Sequence, residues 1–127
     1  MTHHRAMREL LGPVAAVALI AQANPDLPAP GIEFATIIHN GEDRGLGVRL
    51  HLHQPAHGVY ERWAHLIGSA DPDSHTTNLT RCGTVCRRTY GSYADIPVEA
   101  MAYPAPSGMR PEPAAQRPAE PTMGAGR

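Results

Sequence analysis

Two alternating stretches of apolar and polar residues, separated by a run of turn formers, constrain this chain most. In the first stretch Ile32, Phe34 and Ile38 alternate with Glu33, Ala35 and His39, with Thr36 on the apolar side. In the second, Leu46, Val48, Leu50 and Leu52 alternate with Gly47, Arg49, His51 and His53. A period of two is typical of half-buried strands. The run Asn40-Gly41-Glu42-Asp43-Arg44-Gly45 between them predicts a turn, and hence a β-hairpin.

Helical spacing appears on both sides of this hairpin. Before it, Leu10, Val14, Val17, Ala18 and Ala21 recur at helical intervals, with Pro13 in the first turn and Asn24-Pro25 as the stop. After it, Val59, Tyr60, Trp63, Leu66 and Ile67 share a helix face, and Gly68 suits the C-terminal cap. We expect Trp63 to anchor this second helix on the sheet.

Three shorter strands are predicted over about residues 75–82, 84–90 and 96–103. The fold class that follows is α+β: an antiparallel sheet of about five strands, made of a hairpin and a three-strand meander, with two helices on one face. Residues 1–103 form a single domain in this interpretation. Residues 104–127 contain six prolines and no apolar period, so they are predicted to be a disordered tail.

The first 23 residues permit two interpretations that imply different compartments. If these residues form a folded helix, the protein is expected to be cytoplasmic. Alternatively, Arg5 and Arg8 before an apolar stretch, with Ala21 and Ala23 flanking Gln22, outline a secretory signal cleaved after Ala23, although Glu9 opposes it. The helix is favoured, and the apolar stretch is too short for a membrane span. Secretion would also predict a Cys82–Cys86 bridge; otherwise the two are small, half-buried strand residues.

Eight histidines make metal binding the first chemical hypothesis. His51 and His53 lie two apart on one strand, so both side chains leave the same face. Closure of the hairpin near residues 42–43 would bring Glu33 opposite or diagonal to them. Two imidazoles and a carboxylate suit zinc or a non-haem iron. The competing interpretation, which we favour, is that both histidines are water-facing; no cofactor is predicted, and zinc remains an alternative.

A second hypothesis is nucleic-acid binding by Arg81, Arg87, Arg88 and Tyr90, with Tyr93 nearby, because arginines hold phosphates and aromatic rings stack on bases. Adjacent Arg87 and Arg88 must, however, point to opposite faces of a strand. The formal net charge of −1 also gives no general affinity for a polyanion. Solvated or edge-protecting arginines are therefore favoured, and nucleic acid is not the expected partner.

No nucleophile elbow, phosphate loop or dinucleotide fingerprint occurs, so an enzyme is not favoured. Four features occur together in this chain: the apolar helix leading into residues 26–30 (Asp-Leu-Pro-Ala-Pro), the strand pair, Trp63-Ala64, and Leu66-Ile67-Gly68. This combination resembles a group of small uncharacterised α+β proteins of actinobacteria, several of which are encoded near plasmid and phage-like elements. The resemblance covers about residues 10–103. It implies a cytoplasmic accessory protein whose leading segment is a folded helix, and it brings no activity or cofactor. The function expected is a non-enzymatic accessory or protein-interaction module.

Overall fold

A computed structural model describes residues 5–71, 75–79 and 85–103 of the chain. A short 3-10 helix, Met7–Leu10, leads into helix α1, Leu11–Ala23. Strands β1, Gly31–His39, and β2, Glu42–His53, follow, then helix α2, Val59–Leu66. The last strands are β3, Thr76–Leu79, β4, Val85–Tyr93, and β5, Ile96–Tyr103. The predicted α+β class is confirmed. Arg81, Cys82 and the tail lie outside the described residues.

The five strands form one sheet in the order β1-β2-β5-β4-β3. The hairpin β1–β2 and the meander β3–β4–β5 pair antiparallel, as predicted. The sheet is mixed rather than wholly antiparallel, because β5 joins β2 in parallel, with Val48 beside Val98. A parallel pair needs a long crossover, and α2, β3 and β4 together supply it. The last strand therefore lies at the centre of the sheet.

Both helices pack on one face of the sheet, as predicted. Three alternating residues of β2 and three of β5 point into the core: Val48, Leu50, Leu52, Val98, Ala100 and Ala102. Helix α2 contributes Val59, Tyr60 and Trp63, and α1 contributes Ile20. Trp63 is buried and donates its indole N–H to the Pro28 carbonyl at 3.2 Å, so it anchors α2 as expected. No helix in the described part of the chain is long and apolar enough to cross a membrane.

The face that α1 turns to the core differs from the prediction. Pro13, Ala16 and Ile20 are the buried residues, whereas Val14, Ala18 and Ala21 of the expected stripe are exposed. The predicted phase was wrong because residues 11–23 include no charged residue and only one polar side chain, Gln22. A uniformly apolar helix carries no periodic signal from which a buried face can be chosen.

The predicted alternation in β1 fails at its second half. A β-bulge between Thr36 and Ile38 adds one residue to the strand, so Ile37 is 1% exposed and Ile38 is 49% exposed. Ile37 packs on the sheet face opposite the helices, beside Gly47 and Pro97. A bulge bends a strand and increases its twist, which carries the tip of the hairpin over that face. Ile32 and Phe34, expected in the core, stay substantially exposed.

The two tight hairpin turns use different residues for the same backbone shape. Asn40 and Gly41 turn β1 into β2, and Ala94 and Asp95 turn β4 into β5, all four with positive φ. The predicted turn was longer, covering residues 40–45; β2 in fact begins at Glu42. Asn and Gly are favoured in such turns, whereas alanine in the left-handed region costs about 1 kcal/mol or more.

We expect Ala94→Asn to stabilise the protein by about 0.5–1 kcal/mol, because asparagine tolerates the positive φ of 50° that alanine resists. Urea unfolding monitored by Trp63 fluorescence measures the change. Asn40→Ala is the reciprocal control, and it should destabilise by a similar amount. Equal effects of the same sign would contradict this account of the turns.

Candidate functional site

The sheet face opposite the helices, here the polar face, carries the histidines that the sequence singled out. Glu33 lies opposite Arg49 in the β1–β2 register and diagonal to His51, although the hairpin closes at residues 40–41 rather than near the predicted 42–43. His51 Nε2 donates to Glu33 Oε1 at 3.0 Å, and its Nδ1 lies 3.3 Å from the Tyr103 hydroxyl. This hydrogen bond from His51 lowers the pKa of Glu33 below its ordinary value. The carboxylate is therefore held in its charged form.

An ion-pair ladder crosses the polar face from β1 to β4. Arg49 lies between Glu33 and Glu99, with its Nη1 3.4 Å from Glu33 Oε1 and its Nε 2.9 Å from Glu99 Oε1. Arg88 Nε lies 3.2 Å from the second oxygen of Glu99, an ion pair without the angle of a hydrogen bond. The Glu99 side chain is only 4% exposed. The charges of the side chains alternate in sign along the ladder, so each carboxylate lies beside an arginine that neutralises it.

Stacked rings flank the ladder on both sides. His53 and Tyr103 stack with ring centroids 5.0 Å apart, and His51 stacks on Tyr103 at 6.0 Å. At the other side His39, carried over by the bent hairpin, stacks on Tyr90 at 4.1 Å with an interplanar angle of 12°. The rings therefore contact one another rather than standing as separate platforms.

For the predicted metal site, the structure brings Glu33 and His51 into direct contact and leaves His53 to one side. The imidazoles of His51 and His53 lie side by side at a centroid separation of 6.3 Å. Across the described ranges, no group of three His, Cys, Asp or Glu side chains is arranged to hold a metal ion. Glu33 Oε1 contacts both His51 and Arg49, and zinc binding at this point stays a prediction.

The predicted nucleic-acid set is divided between two faces. Arg88 and Tyr90 lie on the polar face, whereas Arg87 lies on the helix face, as adjacent strand residues must. Arg87 Nη1 pairs with Glu61 Oε2 at 2.9 Å, and its guanidinium stands 4.2 Å above the centre of the Tyr60 ring. Arg81 falls outside the described residues. Arg87 and Arg88 both already face carboxylates, and nucleic-acid binding by this set stays a prediction.

A different surface stands out for its apolar side chains. Seven large hydrophobic residues of the described chain are exposed, and all lie on the 3-10 helix, α1 or β1: Met7, Leu11, Val14, Leu19, Ile32, Phe34 and Ile38. Leu11 is 70% exposed. We call Leu11, Val14, Ile32 and Phe34, with the outer edge of β1, the α1–β1 surface. Large apolar areas of this kind on a folded domain mark interaction sites.

The helix and strand parts of this surface are continuous. Val17 and Ala21 of α1 line a cleft of about 190 Å³ together with Ile32 of β1, and Trp63 forms part of its wall. Val14 lies one turn before Ala18 and Ala21, on the same flank of the helix. Within residues 5–71, 75–79 and 85–103, β1 is also an outermost strand, so no described strand pairs with the backbone groups on its outer side. An apolar helix flank therefore borders an unpaired strand edge.

Sequence reasoning missed both the α1–β1 surface and the buried carboxylate of Glu99. The signal for the surface was present: a helix that is apolar on all sides needs cover on all sides, and one sheet covers only one side. Glu99 offered no such signal, because its burial depends on β5 pairing with both β2 and β4.

Comparison with protein-family models, with curated proteins and with solved structures finds no match to this chain. The resemblance to actinobacterial accessory proteins therefore stays a prediction. The geometry of the surfaces is what indicates a function.

Proposed function

We propose that this protein is a non-enzymatic interaction module that docks on a protein partner through the α1–β1 surface. One observation carries the proposal: four of the seven exposed large hydrophobic residues in the described part of the chain lie on this surface, Leu11, Val14, Ile32 and Phe34. Burial of apolar area is the main favourable term in protein association. We place the module in the cytoplasm, where α1 remains part of the chain.

The partner that fits supplies an extended strand and apolar side chains. A free strand edge binds another strand through backbone hydrogen bonds, and side chains at alternate positions give specificity. Ile32 and Phe34 are such alternate positions, both on the helix side of the sheet. The sequence of α1 has no charged residue, and Glu33 and His39 are the only acidic or basic residues in β1. The partner segment therefore needs apolar rather than charged side chains.

The polar face is a less suitable docking site than the α1–β1 surface. Its arginines and glutamates pair with each other, so a ligand would have to break ion pairs before it could form new ones. The cost of separating a pair that includes a buried carboxylate is several kcal/mol.

Site-specific photocrosslinking in living cells of the native host tests the proposal. The crosslinker p-benzoyl-phenylalanine replaces Leu11 or Phe34, and in a matched control it replaces Thr77, which is exposed on the opposite edge strand β3. We expect a discrete protein adduct from positions 11 and 34 and none from position 77. The adduct can contain this chain itself or another protein. If positions 11 and 34 give no adduct beyond that of position 77, the surface does not dock a protein and the proposal fails.

A further inference from the structure

The cleft between α1 and β1 extends from the surface to the hydrophobic core. Helix α1 packs on β2 and β5 and leaves the helix side of β1 largely uncovered. Ile32 of β1 is therefore 44% exposed, although it lies opposite Leu50, which is 1% exposed. Both residues line the cleft, and so do the buried side chains of Ile20 and Trp63. A molecule in the cleft would therefore contact core residues directly.

The segment between α1 and β1 forms a wall of the cleft that offers few hydrogen-bonding groups. Pro25, Leu27, Ala29 and Pro30 of this segment line the cleft. The two prolines have no backbone N–H, and the Leu27 N–H already donates to the Asn24 carbonyl at 3.1 Å. This wall therefore adds mainly apolar contacts to those of the core residues.

Two side chains of the lining carry N–H groups, and both donate them within the protein. Asn24 Nδ2 donates to the Ile20 carbonyl at 3.1 Å, and Trp63 Nε1 donates to the Pro28 carbonyl at 3.2 Å. No acidic or basic side chain is among the described residues that line the cleft. A charged ligand would lose its water here without gaining a partner. The cleft therefore suits an uncharged, apolar molecule.

We propose that this cleft binds a small uncharged molecule with a single aromatic ring. Its volume of about 190 Å³ is below the roughly 300–1,000 Å³ of sites for drug-sized ligands, and it is close to the roughly 150 Å³ of an engineered apolar cavity that binds benzene. The Trp63 indole in the lining can pack against such a ring, edge to face or offset. The inference does not rest on the docking function, because Leu11 and Phe34 do not line the cleft.

Titration of the untagged full chain with benzene, followed by NMR, tests the inference. Trp63 is the only tryptophan, so its indole N–H gives a single signal that reports on the cleft. We expect benzene to shift this signal saturably, with a dissociation constant of about 1 mM. Benzoate has the same ring with a carboxylate attached, and it should bind at least about 10-fold more weakly, because no cationic side chain lines the cleft.

Two variants of α1 locate the binding site. Ala21 is exposed and lines the cleft, so Ala21→Phe fills the cleft from the helix side and should abolish the saturable shift. Ala18 is exposed on the same helix and does not line the cleft, so Ala18→Phe should leave benzene binding unchanged. Circular dichroism establishes that each variant is folded, and the comparison of benzene with benzoate needs no variant.

Three results would overturn the inference. The first is a Trp63 signal that shows no saturable shift up to the solubility limit of benzene. The second is benzoate binding as tight as that of benzene. The third is benzene binding that persists in folded Ala21→Phe, because the ligand would then occupy another site. If benzene does not bind and p-benzoyl-phenylalanine at position 32 crosslinks to a protein, a side chain of the partner fills the cleft; the docking function then stands and this inference falls.

Discussion

Replacing Gly91 with alanine is expected to destabilise the protein by about 3 kcal/mol, because an added Cβ has no space. It would overlap the Ile67 carbonyl oxygen and lie 2.9 Å from Ile67 Cγ1. The same carbonyl accepts a hydrogen bond from the Ser92 N–H at 3.0 Å. The substitution therefore separates the end of α2 from β4 and breaks a buried contact between them. Urea unfolding followed by far-UV circular dichroism measures the loss.

Gly31→Ala is the matched control in the same sheet. A Cβ at Gly31 would meet His51 Cβ at 3.6 Å, which is ordinary van der Waals contact. We expect a change within about 0.5 kcal/mol for this variant. If Gly91→Ala and Gly31→Ala unfold at the same urea concentration, the close approach of α2 to β4 does not exist in solution.

Replacing Glu99 with alanine is expected to cost about 2–4 kcal/mol. The carboxylate is 4% exposed and faces Arg49 and Arg88 at 2.9 and 3.2 Å. Its removal leaves two partly buried guanidinium groups without their central partner, and removing one member of a buried ion pair is strongly destabilising. The Glu99 hydrogen bond raises the pKa of Arg49, so that arginine stays charged.

Glu33→Ala removes the other carboxylate that Arg49 contacts and serves as the comparison. Glu33 is 48% exposed, and surface ion pairs contribute at most about 1 kcal/mol. Chemical denaturation at neutral pH should therefore rank Glu99→Ala well below Glu33→Ala in stability. Equal losses would mean that the ladder has no buried centre.

Local patterns were sufficient to predict most elements of the fold. The hairpin, α2 and the meander all came from hydrophobic period and turn residues, since these signals lie within a few positions of each other. Glu33 does lie beside His51, but its register depends on the turn at residues 40–41 and on the bulge after Thr36, neither of which was predicted.

The features of the fold that could not be predicted from the sequence depend on contacts between distant segments. The parallel pairing of β5 with β2 joins residues about fifty positions apart, and no local sequence pattern near either strand predicts it. The bulge at Ile37 was hidden because Ile37 and Ile38 are chemically identical, so either could face the core. The orientation of α1 was hidden by its uniform apolarity.

The central position of β5 also determines when this chain can fold. During synthesis β1 and β2 emerge early, but β2 keeps an open edge on its inner side until residues 96–103 have been made. The backbone groups on that edge of β2 stay unpaired until β5 has been made. Folding should be slow, since long-range parallel pairing forms late. A nascent chain in this state is a natural client for a chaperone.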